Sequence, residues 1–174
     1  MDAPENSIEA LRLAHCNGAR MVEFDVSFTS CMSAVIFHDD EVDRITPGVG
    51  NIKAISRSNL KKLNLATKHP MCSQYDHHVA IPDLEDFVNE CIQLNMKMII
   101  DLKTWEYIEE TTSVILELYK KFPGLKTTSI VTSFYPQLLY SLRSRNPDIL
   151  CSVSTRPHFL AFSSFDGCNG SKPR

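Results

Sequence analysis

The chain has 174 residues, a formal net charge of −3 and 43% hydrophobic residues. This is enough for one folded domain but short of the ~250 residues of a complete (β/α)8 barrel. The acidic balance argues against nucleic acid as a partner, and no run of about 18 apolar residues offers a transmembrane segment.

The first residues do not read as a signal peptide. Six cysteines form no Cys-x-x-Cys pair, so no structural zinc site is expected and they read as mostly buried free thiols. One glycosylation sequon, Asn169-Gly170-Ser171, lies near the end.

Along the chain, helix and strand patterns alternate. Asn6 to Cys16 reads as a helix with Asn6 as N-cap, Glu9 three residues on, and Asn17-Gly18 as the stop. Met21 to Val26 and Ala34 to Phe37 read as strands. Asp43 to Lys53, with Pro47, Gly48 and Gly50, reads as a loop, and Ser56 caps a short helix to Leu63. Asp83 to Leu94 is the clearest helix: Leu84, Phe87, Val88, Cys91 and Ile92 recur on one face, with Asp83 as the cap.

Met96 to Leu102 reads as a buried strand, Glu106 to Phe122 as an amphipathic helix and Ser129 to Phe134 as a strand. Pro136 to Arg145 is a helix with Pro at its start, and Ile149 to Ser154 a last strand. The polar segment from Ser163 is expected to be a disordered tail, which leaves 1–162 as one domain.

Strands separated by helices imply parallel βαβ units. Each strand is apolar first and polar at its C-terminal end: Glu23 and Asp25, His38 and Asp39, Asp101 and Lys103, Thr132 and Ser133, Ser154 and Thr155. Parallel α/β folds build their sites at that end, in barrels and open sheets alike. No Gly-x-Gly-x-x-Gly follows any strand, which weakens a nucleotide-binding reading.

Glu23 and Asp25 lie two apart on a strand and so share a face. Their repulsion calls for something cationic between them. Joined by Asp101, they suit a hard cation such as Mg²⁺ or Ca²⁺; the alternative is an ion-pair network with Lys103. His38, followed by Asp39 and Asp40, is a candidate general acid or base. Arg44 either binds a phosphate oxygen or pairs with Asp43. Trp105 flanks a site or covers the core. The other five histidines, His69 and the adjacent His77-His78 among them, are assigned no role, and Ser133 lacks the surroundings of a nucleophile.

Several segments together resemble the glycerophosphodiester phosphodiesterase family. They are Ala3-Pro4-Glu5-Asn6-Ser7, Val22-Glu23-Phe24-Asp25-Val26, Phe37-His38-Asp39-Asp40 with Asp43-Arg44 and Gly48-Val49-Gly50, Ile81-Pro82-Asp83-Leu84, and Ile100-Asp101-Leu102-Lys103. Ser154-Thr155-Arg156-Pro157 looks like its membrane-anchored animal branch.

The resemblance implies an α/β fold, an incomplete TIM (β/α)8 barrel. It also implies metal-dependent hydrolysis of glycerophosphodiesters to glycerol 3-phosphate and an alcohol. By resemblance Glu23, Asp25 and Asp101 are ligands for Mg²⁺ or Ca²⁺, His38 is one of two catalytic histidines, and Arg44 and Lys103 face the phosphodiester. Substrates such as glycerophosphoinositol or glycerophospho-N-acylethanolamine, and a membrane association, are implied in the same way.

Two departures stand out. The family's His-Arg-Gly-Gly segment would precede Met1, and its Asp-Gly turn is Cys31-Met32 here, where Met resists a positive φ. The last barrel strands are expected to be missing. The chain alone is therefore expected to hydrolyse little. A catalytically dead module that binds a headgroup or a protein is the competing reading, and a doubly wound sugar- or nucleotide-binding domain a third.

Overall fold

The computed structural model describes residues 2–155. The expected tail, the 1–162 domain limit, His158, Cys168, the sequon and Arg156-Pro157 fall outside the described residues.

Helix α1 (Ile8–Cys16) starts at Ser7, whose hydroxyl accepts the Ala10 N–H. The expected cap Asn6 lies one residue too early. It takes a left-handed φ of 55°, which Asn tolerates, and its side chain is committed elsewhere. Strand β1 (Met21–Phe28) follows, then β2 (Ala34–Ile36) and the short α2 (Arg57–Leu60), capped by Ser56 as expected. Helix α3 (Leu84–Gln93), strand β3 (Lys97–Leu102) and helix α4 (Ile108–Lys121) match the periodicity to within about two residues. After a short α5 (Leu125–Thr128) come β4 (Ser129–Ser133), α6 (Pro136–Arg145) and β5 (Cys151–Val153).

The five strands form one sheet in the order β2-β1-β3-β4-β5. β1, β3, β4 and β5 are parallel, as the intervening helices require. β2 is the exception. No helix separates it from β1, so it folds back antiparallel, with Val26 opposite Ile36 and Phe28 opposite Ala34. The sheet is open, as an incomplete barrel would be. At the β2 edge, the Ile36 N–H reaches the Pro82 carbonyl, and Val35 bridges to Asp83.

Alternation along β1 divides its side chains. Phe24, Val26 and Phe28 enter the main core against the helices, where the Phe24 and Phe87 rings meet at 4.8 Å between centroids. Truncating such a buried Phe costs about 3–5 kcal/mol. Glu23, Asp25 and Ser27 take the opposite face. A second, smaller core (Phe37, Val42, Ile52, Leu60, Leu65, Val79) organises the long segment between β2 and α3 into a cap beside the strand ends.

Three further expectations are corrected. Asp83 occupies the N-cap position of α3, but its side chain makes no cap hydrogen bond. Its carboxylate instead receives Arg57, with Nε at 2.8 Å from Oδ1, and Lys61. Met32 adopts φ = 57° despite its side chain. Of the described cysteines only Cys91 is buried, and Cys16, Cys31 and Cys72 are exposed.

Candidate active site

The sheet register makes the site. Asp25 on β1 stands directly opposite Asp101 on β3, and Asp101 opposite Thr132 on β4. Glu23, two residues earlier on β1, shares their face. Oxygens of Glu23, Asp25 and Asp101 all lie within 4.8 Å of one another. Asp25 and Asp101 are buried and Glu23 is exposed.

Such a cluster needs positive charge, and Lys103 supplies part of it. Its Nζ lies 2.9 Å from Asp25 Oδ1 and 2.7 Å from Asp101 Oδ2. Burial works against the Lys103 ammonium, but hydrogen bonds to Asp101 and Asp25 outweigh it and raise its pKa. Burial, and then the charges of Asp25 and Asp101, push the Glu23 carboxyl above its usual range. The predicted ion-pair network is therefore present, and it coexists with the three-carboxylate donor set.

The two buried carboxylates are held in place by neutral donors. Asn6 Nδ2 donates to Asp25 Oδ2 at 3.0 Å, which is why Asn6 is free of capping duty. Thr132 Oγ1 donates to Asp101 Oδ1 at 2.7 Å, and Ser154 Oγ reaches the same oxygen at 3.3 Å.

His38 reaches the site because β2 runs backwards. The Phe37 N–H bonds the Asp25 carbonyl, so the next residues return alongside Glu23. His38 Nδ1 lies 2.6 Å from Asp39 Oδ1. Arg44 grips Asp39 through Nε, and its hydrogen bond is the main cause that holds the Asp39 carboxyl below its ordinary range. An ionised Asp39 can only accept, which assigns the proton to Nδ1 and leaves Nε2 as the basic nitrogen.

Arg44 also binds Glu5, with Nη1 at 3.1 Å from Oε2. The expected Arg44–Asp43 pair is thus replaced by Glu5 and Asp39, which face the guanidinium across the cleft. Glu5, Asn6, Glu23, Asp25, His38, Asp39 and Arg44 line one cleft of about 530 Å³. Trp105 is 57% exposed, so it does not cover the core.

Comparison with known proteins gives the family. Residues 1–161 match the model of the glycerophosphoryl diester phosphodiesterase family. The chain belongs to that family. Glycerophosphodiester phosphodiesterase 1 of Homo sapiens is 35% identical over 99% of this chain and 50% of its own length, and the Bos taurus protein of the same name shows the same figures. The chain thus spans about half the length of these relatives.

Among solved structures, an Oleispira antarctica phosphodiesterase in complex with the product sn-glycerol-3-phosphate superposes with a TM-score of 0.79. It is 28% identical and matches 95% of this chain and 68% of its own. A glycerophosphodiester phosphodiesterase from Agrobacterium tumefaciens gives a TM-score of 0.74 at 22% identity over 86% of this chain and 61% of its own, which supports the fold.

Within this candidate site, sequence reasoning missed Asn6, Glu5, Thr132 and Ser154. Thr132 and Ser154 were visible as polar strand ends, but nothing in their spacing said that both would meet Asp101. Phe134, just past β4, was also missed: the Lys103 Nζ lies 5.9 Å from the centre of its ring.

Proposed function

We propose that the chain carries a divalent-cation site of a glycerophosphodiester phosphodiesterase, with glycerophosphodiesters as substrates and glycerol 3-phosphate as product. The observation that carries this reading is the convergence of three carboxylates from β1 and β3 with one lysine. Three negative charges, one lysine and one divalent cation sum to zero.

The donor chemistry also fits: three carboxylates whose oxygens lie within 4.8 Å of one another are hard oxygen donors of the kind Mg²⁺ and Ca²⁺ take. Glu23, Asp25 and Asp101 would hold the cation, which when bound withdraws charge from phosphoryl oxygens.

The remaining steps belong to the chain's own groups. Lys103 adds positive charge where the phosphoryl oxygens gather negative charge in the five-coordinate transition state. His38 exchanges a proton at Nε2, oriented by Asp39, which Arg44 keeps ionised. Arg44 also presents a cationic edge to the phosphodiester in the same cleft. Among the described residues His38 is the one histidine lining that cleft. An acid–base group of this kind contributes about 10²–10⁴-fold, so loss of the His38 imidazole should slow turnover by that order.

The competing reading, a module that binds a headgroup without turnover, shares the fold but needs no cation. Release of glycerol 3-phosphate from glycerophosphoinositol separates the two. Slow release that stops with EDTA and in Asp101→Asn supports the enzymatic reading. Absence of both release and cation binding supports the binding module. Membrane association of the whole protein is also a proposal, resting on resemblance; no described helix is long and apolar enough to cross a membrane.

A further inference from the structure

The groups of the site sit on two bodies. Glu23, Asp25 and Asp101 belong to the sheet with its main core, whereas His38, Asp39 and Arg44 lie on the cap, which is built around an apolar cluster of its own. A short strap of chain, Asp2 to Glu9, touches both. Asn6 holds Asp25 on the sheet side. Toward the cap, Glu5 pairs with Arg44, the Asp2 carbonyl accepts the Tyr75 hydroxyl at 3.2 Å, and Glu9 meets His77.

The seam between strap and cap is partly hollow. A cavity of about 260 Å³ lies there, lined by Pro4 and Glu5 from the strap and by Arg44, Ile45 and Leu65 from the cap. Apolar packing along the seam is therefore incomplete, and the polar contacts carry more of its closure.

Of those contacts, His77 is the one that a proton can switch near neutral pH. Its Nε2 lies 3.3 Å from Glu9 Oε1 in the first turn of α1, and its Nδ1 lies 3.2 Å from Oδ1 of its neighbour Asp76. A neutral imidazole has one ring proton and can donate to one of these carboxylates, whereas an imidazolium donates to both. Glu9, Asp76 and the Tyr75 ring, with Asp2 beyond that ring, are the titratable groups around it. Hydrogen bonds to Asp76 and then to Glu9 raise its pKa above the ordinary value of about 6.5. The Arg44 guanidinium keeps its proton throughout this range. So do Arg57 and Lys61, which fasten the cap to Asp83 at the head of α3.

Resting on the proposed function for its catalytic consequence, we infer that His77 is a positioning residue: its imidazolium clasps the cap to α1 through Glu9, and so seats His38, Asp39 and Arg44 against the carboxylates of the sheet. The clasp is closed below about pH 6.5 and opens as the pH rises through the raised value of the folded protein. Because the pair is exposed, the effect is modest, about two- to fivefold in the opening of the seam.

Hydrogen exchange of the full chain at pH 6 and pH 8, corrected for the intrinsic pH dependence of exchange, reads that opening. The reporters are cap amides next to the seam: Leu65, His69 and Cys72, bonded to the carbonyls of Val79, Ala66 and His69. Their protection should fall about two- to fivefold from pH 6 to pH 8 in the unmodified chain. His77→Gln should show the pH 8 level at both values. His77→Lys, which stays charged, should show the pH 6 level at both. Release of glycerol 3-phosphate from glycerophosphoinositol reads the seating. His77→Lys should exceed the unmodified chain about two- to fivefold at pH 8 and by less at pH 6.

Protection that does not change with pH, or that changes equally in all three proteins, overturns the clasp. A clasp seen by exchange, with equal release by the unmodified chain and His77→Lys at pH 8, overturns the positioning role while the phosphodiesterase reading stands. A chain that binds no Ca²⁺ and releases no glycerol 3-phosphate removes the phosphodiesterase reading and the positioning role with it, and exchange alone then decides the clasp.

Discussion

Asp25 and Asp101 face each other across the β1–β3 register, and the Lys103 ammonium touches both. Two buried carboxylates on adjacent strands would repel, so this lysine is a structural requirement of the ion-free protein as well as part of the site. Lys103→Met should therefore destabilise the ion-free chain by about 1–3 kcal/mol, between the values for exposed and buried ion pairs. In thermal unfolding that is a drop of roughly 3–10 °C. The same variant should bind Ca²⁺ more tightly, by about tenfold, because a competing positive charge has gone. A weaker Ca²⁺ affinity in Lys103→Met would mean that the lysine organises the donors instead of competing for them.

Asp83 offers a pH test away from the site. Burial opposes its charge, but Arg57 and Lys61 win and hold its carboxyl below the usual range. A carboxyl whose folded pKa lies below the unfolded value of about 3.9 stabilises the fold above that pH and stops doing so as the pH falls through the folded value. Asp83→Asn should cost about 1–3 kcal/mol at pH 7 and progressively less in acid. Urea unfolding of both proteins across pH 3–7 measures it; parallel curves over the whole range would show that this ion pair contributes nothing.

Cys31 is exposed, and its Sγ lies 3.4 Å from Ser33 Oγ and 3.3 Å from Thr29 Oγ1. The Ser33 and then the Thr29 hydrogen bonds lower its pKa to about 6. Its alkylation rate should level off above pH 7. Peptide mapping after brief iodoacetamide treatment reads this directly. A Cys31 rate that keeps climbing up to pH 9 would contradict the assignment.

His38 is poised by Asp39, and Asp39 by Arg44. His38→Ala should reduce whatever glycerol 3-phosphate release the chain shows by about 10²-fold or more while leaving Ca²⁺ affinity within a few-fold. Equal turnover in the variant would remove His38 from the chemistry.

The parts of this account that were legible in the sequence share a physical cause. Helices α3 and α6 and strand β3 are written in local pattern: apolar periodicity, a Pro at the first turn, a buried run ending in Asp-Leu-Lys. The i, i+2 spacing of Glu23 and Asp25 puts them on one face of any strand. What was illegible depends on chain reversal and distant partners. The direction of β2 follows from the short turn through Met32, whose positive φ the side chain disfavours. The partners of Arg44 and the diversion of Asp83 from its cap were hidden for the same reason. Glu5 lies 39 residues from Arg44, and Arg57 lies 26 from Asp83.

The central claim is that Glu23, Asp25 and Asp101 together bind one divalent cation. Calorimetric titration of the unmodified chain and of Asp101→Asn with Ca²⁺ and Mg²⁺ tests it most directly. The account predicts one ion per chain and an affinity lowered at least about 10²-fold by the substitution. No heat of binding in the unmodified chain, or the same affinity in the variant, would contradict it.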